Sequence, residues 1–205
     1  MTLRTSPAAQ GVFLCLALVG CGSERIADTS GARNELSIVI QPLGEVPAEQ
    51  VAAVESALRE QYGARITTAE PTPLPDEAYY APRSRYRAER LLDALSAAHP
   101  EAEKVIGVTT ADISTTKGEH EDWGIFGLAR ISGRVCVVST HRLRARGAGE
   151  ERFLKRLSTV ARHEVGHTLG LRHCATVGCI MEDAKGSVAT VDRARDLCDA
   201  CAASL

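Results

Sequence analysis

The sequence predicts an α/β domain with a mixed, twisted sheet, an antiparallel edge strand, one long helix and a small cysteine-rich C-terminal part. Three observations predict it. Short β-type runs alternate with helical segments through the first half. Two further β-type runs, Ile125 to Ile131 and Arg134 to Ser139, are joined by Ser132-Gly133, which reads as a hairpin. Glu150 to Leu169 is the longest helical segment, and four cysteines follow it.

In chain order, Leu36-Ser37-Ile38-Val39-Ile40 is apolar and β-branched, hence a strand that Pro42 and Gly44 end. Pro47 opens a helix with Val51, Val54, Ala57 and Leu58 on one face, and Gly63 closes it. Ala64 to Thr68 is a second strand. Residues 70–85 contain Pro71, Pro73, Pro75 and Pro82 and read as loop. Tyr86 to Ala98 places Leu91, Leu92 and Leu95 at helical spacing before Pro100. Lys104 to Thr110 is a third strand, and Thr115 to Asp122 a polar loop. In the long helix, Phe153, Leu154, Leu157, Val160 and Ala161 mark the buried face, and Gly170 stops it. A last helix is expected from about Val191.

The chain has 205 residues, 44% apolar and 24% charged, which excludes a disordered, collagenous or polytopic membrane protein. Lys and Arg number 24 against 26 Asp and Glu, so nucleic acid is not an expected partner. Residues 1–20 read as a leader: Arg4, then an apolar stretch from Val12 to Val19 too short to span a bilayer. It ends in Leu18-Val19-Gly20-Cys21, which resembles a bacterial lipobox with Cys21 as the lipidated residue. The plainer alternative is a secretory signal with a chance cysteine. Residues 21–35 then form a polar tether and 36–205 the domain. The expected location is the bacterial cell envelope. There the chain would be a lipid-anchored monomer, on the periplasmic side of a membrane or on the cell surface.

Inside the long helix lies His163-Glu164-Val165-Gly166-His167. Positions i and i+4 share a helix face, so both imidazoles can reach one ion, with Glu164 beside it as a general base. Gly170 and His173 extend the pattern to HExxHxxGxxH. A conformation open to glycine at 170 would turn the chain so that His173 reaches the same ion. Three neutral imidazoles leave one tetrahedral position open, the arrangement of a catalytic zinc.

Cys174 and Cys179, with the Cys198–Cys201 CxxC, have the spacing of a closed, structural four-thiolate zinc site. Two disulfides are the alternative, favoured by an oxidising compartment. Cys136 stands apart in a β-run and reads as a small buried apolar residue.

The run from His163 to Met181, followed by the CxxC, resembles the archaemetzincin (archaelysin) family of metzincin zinc peptidases. The resemblance extends to Ile40-Gln41-Pro42-Leu43-Gly44, Arg85-Tyr86, Gly127-Leu128-Ala129 and Ser139-Thr140-His141-Arg142-Leu143. It implies a metzincin-like single catalytic domain, with Met181 as a hydrophobic floor beneath the metal rather than a ligand. The sixteen residues between Met181 and Cys198 are one fewer than is usual in the family. No tyrosine follows Tyr86, so the role that one plays after the methionine in some metzincins is empty or filled otherwise. A lipobox-like leader is also unusual in a family mostly thought of as soluble and intracellular.

These residues lead to one expectation: a metalloendopeptidase or aminopeptidase with two Zn2+ per chain. It hydrolyses peptide bonds by Glu164-assisted attack of a zinc-bound water. Its substrate backbone would add to the edge strand at Ile125 to Ile131. The alternatives are a membrane-tethered, zinc-dependent peptide-binding scaffold with little turnover and a metal-buffering protein. The retained Glu164 argues against the first alternative. An open three-histidine site beside a closed thiolate site argues against the second.

Overall fold

The computed structural model describes Thr2 and residues 35–205. The rest of the expected leader and tether, Cys21 included, lies outside the described residues.

A five-stranded mixed sheet organises the domain. Its strands are β1 (Ser37–Leu43), β2 (Arg65–Thr68), β5 (Lys104–Thr109), β8 (Gly127–Ala129) and β9 (Val135–Ser139), in the order β2-β1-β5-β9-β8. The first four in that order are parallel and β8 is antiparallel to β9, so the expected antiparallel edge strand is present. Pro42 lies inside β1 rather than at its end, beyond Ile40, the last residue paired with β2.

Helices cover both faces of this sheet, as a parallel sheet requires. On one face, Ile38, Ile40, Ile106 and Val138 pack against α1 (Ala48–Tyr62) and α3 (Glu150–Thr168). From these helices come Val54, Leu58, Phe153 and Leu157. On the other, Val105, Val135 and Val137 meet Leu91, Leu92 and Leu95 of α2 (Ala88–Ala98). Gly63 ends α1 in the left-handed region at φ 60°.

A second, four-stranded sheet departs from the sequence expectation. It contains β3 (Tyr79–Tyr80), β4 (Arg85–Arg87), β6 (Ile113–Lys117) and β7 (His120–Ile125), in the order β3-β4-β6-β7. Three expectations fail here. Residues 115–122 form a hairpin of β6 and β7 rather than a polar loop, α2 begins at Ala88 rather than Tyr86, and the expected loop 70–85 contains β3 and the start of β4. Buried charge explains the second difference. Arg85 pairs with Asp112 at 2.7 Å and Asp122 at 2.8 Å, drawing residues 85–87 into the sheet.

The Ile125–Ile131 run is also divided. Ile125 ends β7, and the chain crosses between sheets at Phe126, leaving Gly127–Ala129 as β8. The link to β9 is a five-residue loop, not a two-residue turn. Ser132 sits there at φ 56°, and its N–H donates to the His167 carbonyl at 2.9 Å.

The expected last helix is two short ones, α4 (Val188–Arg193) and α5 (Asp199–Ala202). The chain between them is extended, with the Ile180 N–H donating to the Asp196 carbonyl at 2.9 Å. Arg156, fully buried on α3, holds α4 in place. Its Nε and Nη2 donate to the Asp192 carboxylate at 2.7 and 2.8 Å. Its Nη1 donates to the Leu143 and Ala145 carbonyls. Cys136 is buried in β9, as the sequence suggested.

Candidate active site

Helix α3 brings His163 and His167 one turn apart, with their Nε2 atoms 3.0 Å from each other. The helix ends at Thr168, and Gly170 takes φ 99°, which turns the chain back. His173 thereby joins the pair, with ring centroids 5.4 Å from His163 and 4.9 Å from His167. One nitrogen from each ring lies within 4.8 Å of the others.

The rings are oriented from behind. Nδ1–H of His163 donates to the Ile180 carbonyl and Nδ1–H of His167 to the Leu171 carbonyl, each at 2.7 Å. These bonds fix the tautomer and leave both Nε2 lone pairs directed into the cluster. Burial, followed by the neighbouring His167, pushes His163 down to about 4, so its ring is neutral at physiological pH. Burial also lowers His167. Three imidazoles with converging nitrogens fit a zinc ion, which takes neutral histidine ligands.

Glu164 lies beside this cluster with its side chain against β8. A Cβ at Gly127 would meet Glu164 Oε1 at 2.6 Å, so glycine there admits the carboxyl to the edge strand's backbone. Burial pushes Glu164 up to about 8 in the metal-free chain. Met181 is fully buried against the same helix. A Cβ at Gly166 would come within 2.7 Å of its sulfur, which explains a glycine between the two histidines of α3.

The four cysteines also converge, with one sulfur from each within 4.8 Å of the others. Cys174 and Cys198 sulfurs are 3.7 Å apart, and those of Cys179 and Cys201 3.8 Å, with no disulfide joining any of the four. The Thr176 N–H donates to the Cys174 sulfur and the Cys198 N–H to the Cys179 sulfur, each at 3.4 Å. Backbone hydrogen bonding at Cys201 brings the Cys198 thiol down to about 6, and Thr176 lowers Cys174. Burial raises the Cys179 and Cys201 thiols, so Cys174 and Cys198 are the two that lose protons more readily; four sulfurs converging this closely have the donor set of a thiolate-bound metal.

A cleft of about 230 Å³ opens beside His163 and Glu164. Trp123 and Ile125 of the β6–β7 hairpin, Val160, Ile180 and Val191 line it. Sequence reading did not anticipate the hairpin wall. The β-branched residues Ile113, Thr115 and Thr116 were the available signal, masked by their polar neighbours. Asp183, also on the cleft, was missed because nothing in the sequence separates it from a surface carboxylate.

Residues 61–205 match the family described as peptidase family M54. The archaemetzincin of Natronomonas pharaonis is 34% identical over 174 residues, spanning 81% of this chain and 97% of that protein. The chain belongs to the archaemetzincin family, peptidase family M54. The crystal structure of the Archaeoglobus fulgidus archaemetzincin, complexed with malonate, agrees with a TM-score of 0.72 at 32% identity. It covers 82% of this chain and 99% of its own. The Methanopyrus kandleri archaemetzincin gives 0.72 at 30% identity, with 84% and 94% covered. This M54 chain is accordingly a zinc-dependent metallopeptidase with peptide or protein substrates.

The burial of Glu164 sets a pH signature in the metal-free M54 chain. Its carboxyl is raised from 4.5 to about 8 on folding. Between those values the folded state keeps a proton that the unfolded state has released, so the Glu164 contribution to stability declines as pH rises. Glu164→Gln mimics the neutral form. Its advantage over wild type should grow by roughly 1.4 kcal/mol per pH unit across that window and then level off. Denaturant unfolding of chelator-treated protein measures this. A pH-independent difference would mean that Glu164 has no raised pKa.

Proposed function

We propose that this archaemetzincin-family chain hydrolyses peptide bonds with Glu164 as its general base and acid. His163, His167 and His173 hold the catalytic zinc. The observation behind this reading is the convergence of three imidazoles beside a buried carboxyl that abuts the backbone of an edge strand. Zinc held by three imidazoles supplies a Lewis acid that polarises a carbonyl and makes water a stronger acid.

The remaining roles belong to the chain. The β8 edge, Gly127–Ala129, offers unpaired backbone groups to an extended substrate, aligning its scissile carbonyl with the histidines. Glu164, one residue after His163, takes the proton of the attacking water and then delivers it to the leaving nitrogen. Met181 fills the space behind α3 and holds the histidine-bearing turn against the chain that follows. Phe126 and the β6–β7 hairpin exclude bulk water from one side of the cleft. Arginine-anchored α4 closes the other side through Val191.

Cys174, Cys179, Cys198 and Cys201 hold a second, structural zinc in this reading, giving two ions per chain. Residues 1–20 are a lipoprotein leader, and Cys21 carries the lipid that tethers a monomer to the cell envelope. Among the described residues, no helix is long and apolar enough to cross a membrane.

Glu164→Ala should reduce peptide-library cleavage by at least ~10²-fold while keeping the catalytic zinc, the scale of a lost general base. His167→Ala should lose that zinc. Retained turnover in the first variant would remove Glu164 from the mechanism. Zinc binding without cleavage by wild type would favour a tethered peptide-binding protein instead.

Cys198→Ser should lower stability and weaken catalytic zinc binding, although Cys198 is not one of the proposed catalytic-zinc ligands. The connection is short: Cys174 follows His173, and Cys179 precedes Ile180, whose carbonyl orients His163. About two zinc ions per chain and four alkylatable thiols after chelation are expected. One zinc and thiols that resist alkylation until reduced would establish disulfides.

Fatty-acid label should enter wild type and not Cys21→Ala. Label in neither protein, or in both, would remove the lipid anchor.

A further inference from the structure

We propose that Asp183 is a positioning residue for His173, holding Nδ1–H of that imidazole so that Nε2 faces the other two histidines. This rests on the reading of the three histidines as zinc ligands and adds a partner that the motif does not contain.

The observation is an asymmetry in how the rings are held. His163 and His167 each donate Nδ1–H to a backbone carbonyl at 2.7 Å. His173 lies beyond the helix, with its side chain 52% exposed. The acceptor facing its Nδ1 is Oδ2 of Asp183, at 3.9 Å. That separation is an ion-pair distance, longer than a hydrogen bond. Both side chains are at least a third exposed, so closing to a hydrogen bond is the adjustment that the proposal requires.

Backbone pairing holds the two segments against each other: the Cys174 N–H donates to the Met181 carbonyl at 2.8 Å, and Cys174 and Glu182 form a parallel β-bridge. Across this pairing the His173 and Asp183 side chains approach to 3.9 Å. The second oxygen of Asp183 accepts the Lys185 N–H at 2.8 Å, which holds the carboxylate in place.

A carboxylate behind a ligating imidazole selects the tautomer, fixes the ring plane and raises the basicity of the ligating nitrogen. His173 needs this more than its partners do, since no helix turn restrains it.

The test uses Asp183→Ala and Asp183→Asn in the full chain, with His167→Ala as reference. Zinc affinity is measured by chelator competition, and cobalt(II) occupancy by its visible bands, which separate imidazole from thiolate coordination. Asp183→Ala should weaken the histidine site about 10- to 100-fold. Asp183→Asn, which keeps an acceptor oxygen, should recover most of that loss. The Nδ1–H proton resonance of His173 should be present in metal-loaded wild type and lost to solvent exchange in Asp183→Ala. Thermal unfolding of the metal-free chain should not change in either Asp183 variant.

Wild-type affinity in Asp183→Ala, with binding lost in His167→Ala, overturns this proposal alone. Wild-type affinity in both variants overturns the ligand reading and this proposal with it. Loss in Asp183→Ala as complete as in His167→Ala, without rescue by Asn, makes Asp183 a ligand. An equal fall in metal-free stability for both Asp183 variants makes its role structural. Either result overturns positioning.

Discussion

Two hydrogen bonds determine the geometry of the centre: His163 Nδ1–H to the Ile180 carbonyl and His167 Nδ1–H to the Leu171 carbonyl. Each ties a ring on a regular helix to chain that follows the helix. Neither acceptor belongs to the helix itself, so the histidines are oriented only when residues 169–181 have folded back beneath them. That return depends on Gly170, whose φ of 99° is strained for any side chain. It also depends on the close approach of Met181 to Gly166. The HExxHxxGxxH spacing thus serves two ends, supplying nitrogens and folding the chain that aims them.

The same segment joins the two candidate metal sites. Ile180 lies between Cys179 and Met181, and Cys174 lies directly after His173. Any rearrangement of the four sulfurs must move one of these neighbours. Coupling of this kind requires no long pathway, because covalent adjacency and one backbone hydrogen bond suffice. It also explains why the thiol cluster sits where it does, at the point from which the catalytic rings are aimed.

Much of this was legible in the sequence, because glycine and metal-ligand spacings are local facts. The long helix, its stop at Gly170, the residues of both candidate ligand clusters and the antiparallel edge strand follow from patterns within a few residues. The four-stranded second sheet was not legible. Its hairpin is mostly polar, and its stability comes from nonlocal ion pairs joining Arg85 and Arg142 to Asp112 and Asp122. The split of the Ile125–Ile131 run has a similar origin. No local signal distinguishes Ile125, which closes the second sheet, from Leu128 on the main one. Gly127 was visible as a residue but not as the gap that admits Glu164, since that depends on an element 37 positions away.

The C-terminal part poses a problem of stability that a metal bound by the four cysteines would answer. After α3, the third apolar cluster has only Leu171, Cys179, Ile180 and Met181 as fully buried members. Three of these are Met181, packed against Gly166, and Ile180 and Leu171, whose carbonyls orient His163 and His167. The helices that follow are six and four residues long, too short to persist without tertiary support. Arg156 fixes the first through Asp192, but among the described residues no comparable ionic anchor holds the second. A thiolate-bound zinc contributes on the order of ten kcal/mol in small sites, comparable to the stability of a whole domain. Placed at Cys174, Cys179, Cys198 and Cys201, it would fasten α5 to the chain that aims His163. The cysteines would then do what a larger core would otherwise do, and they occupy far less sequence.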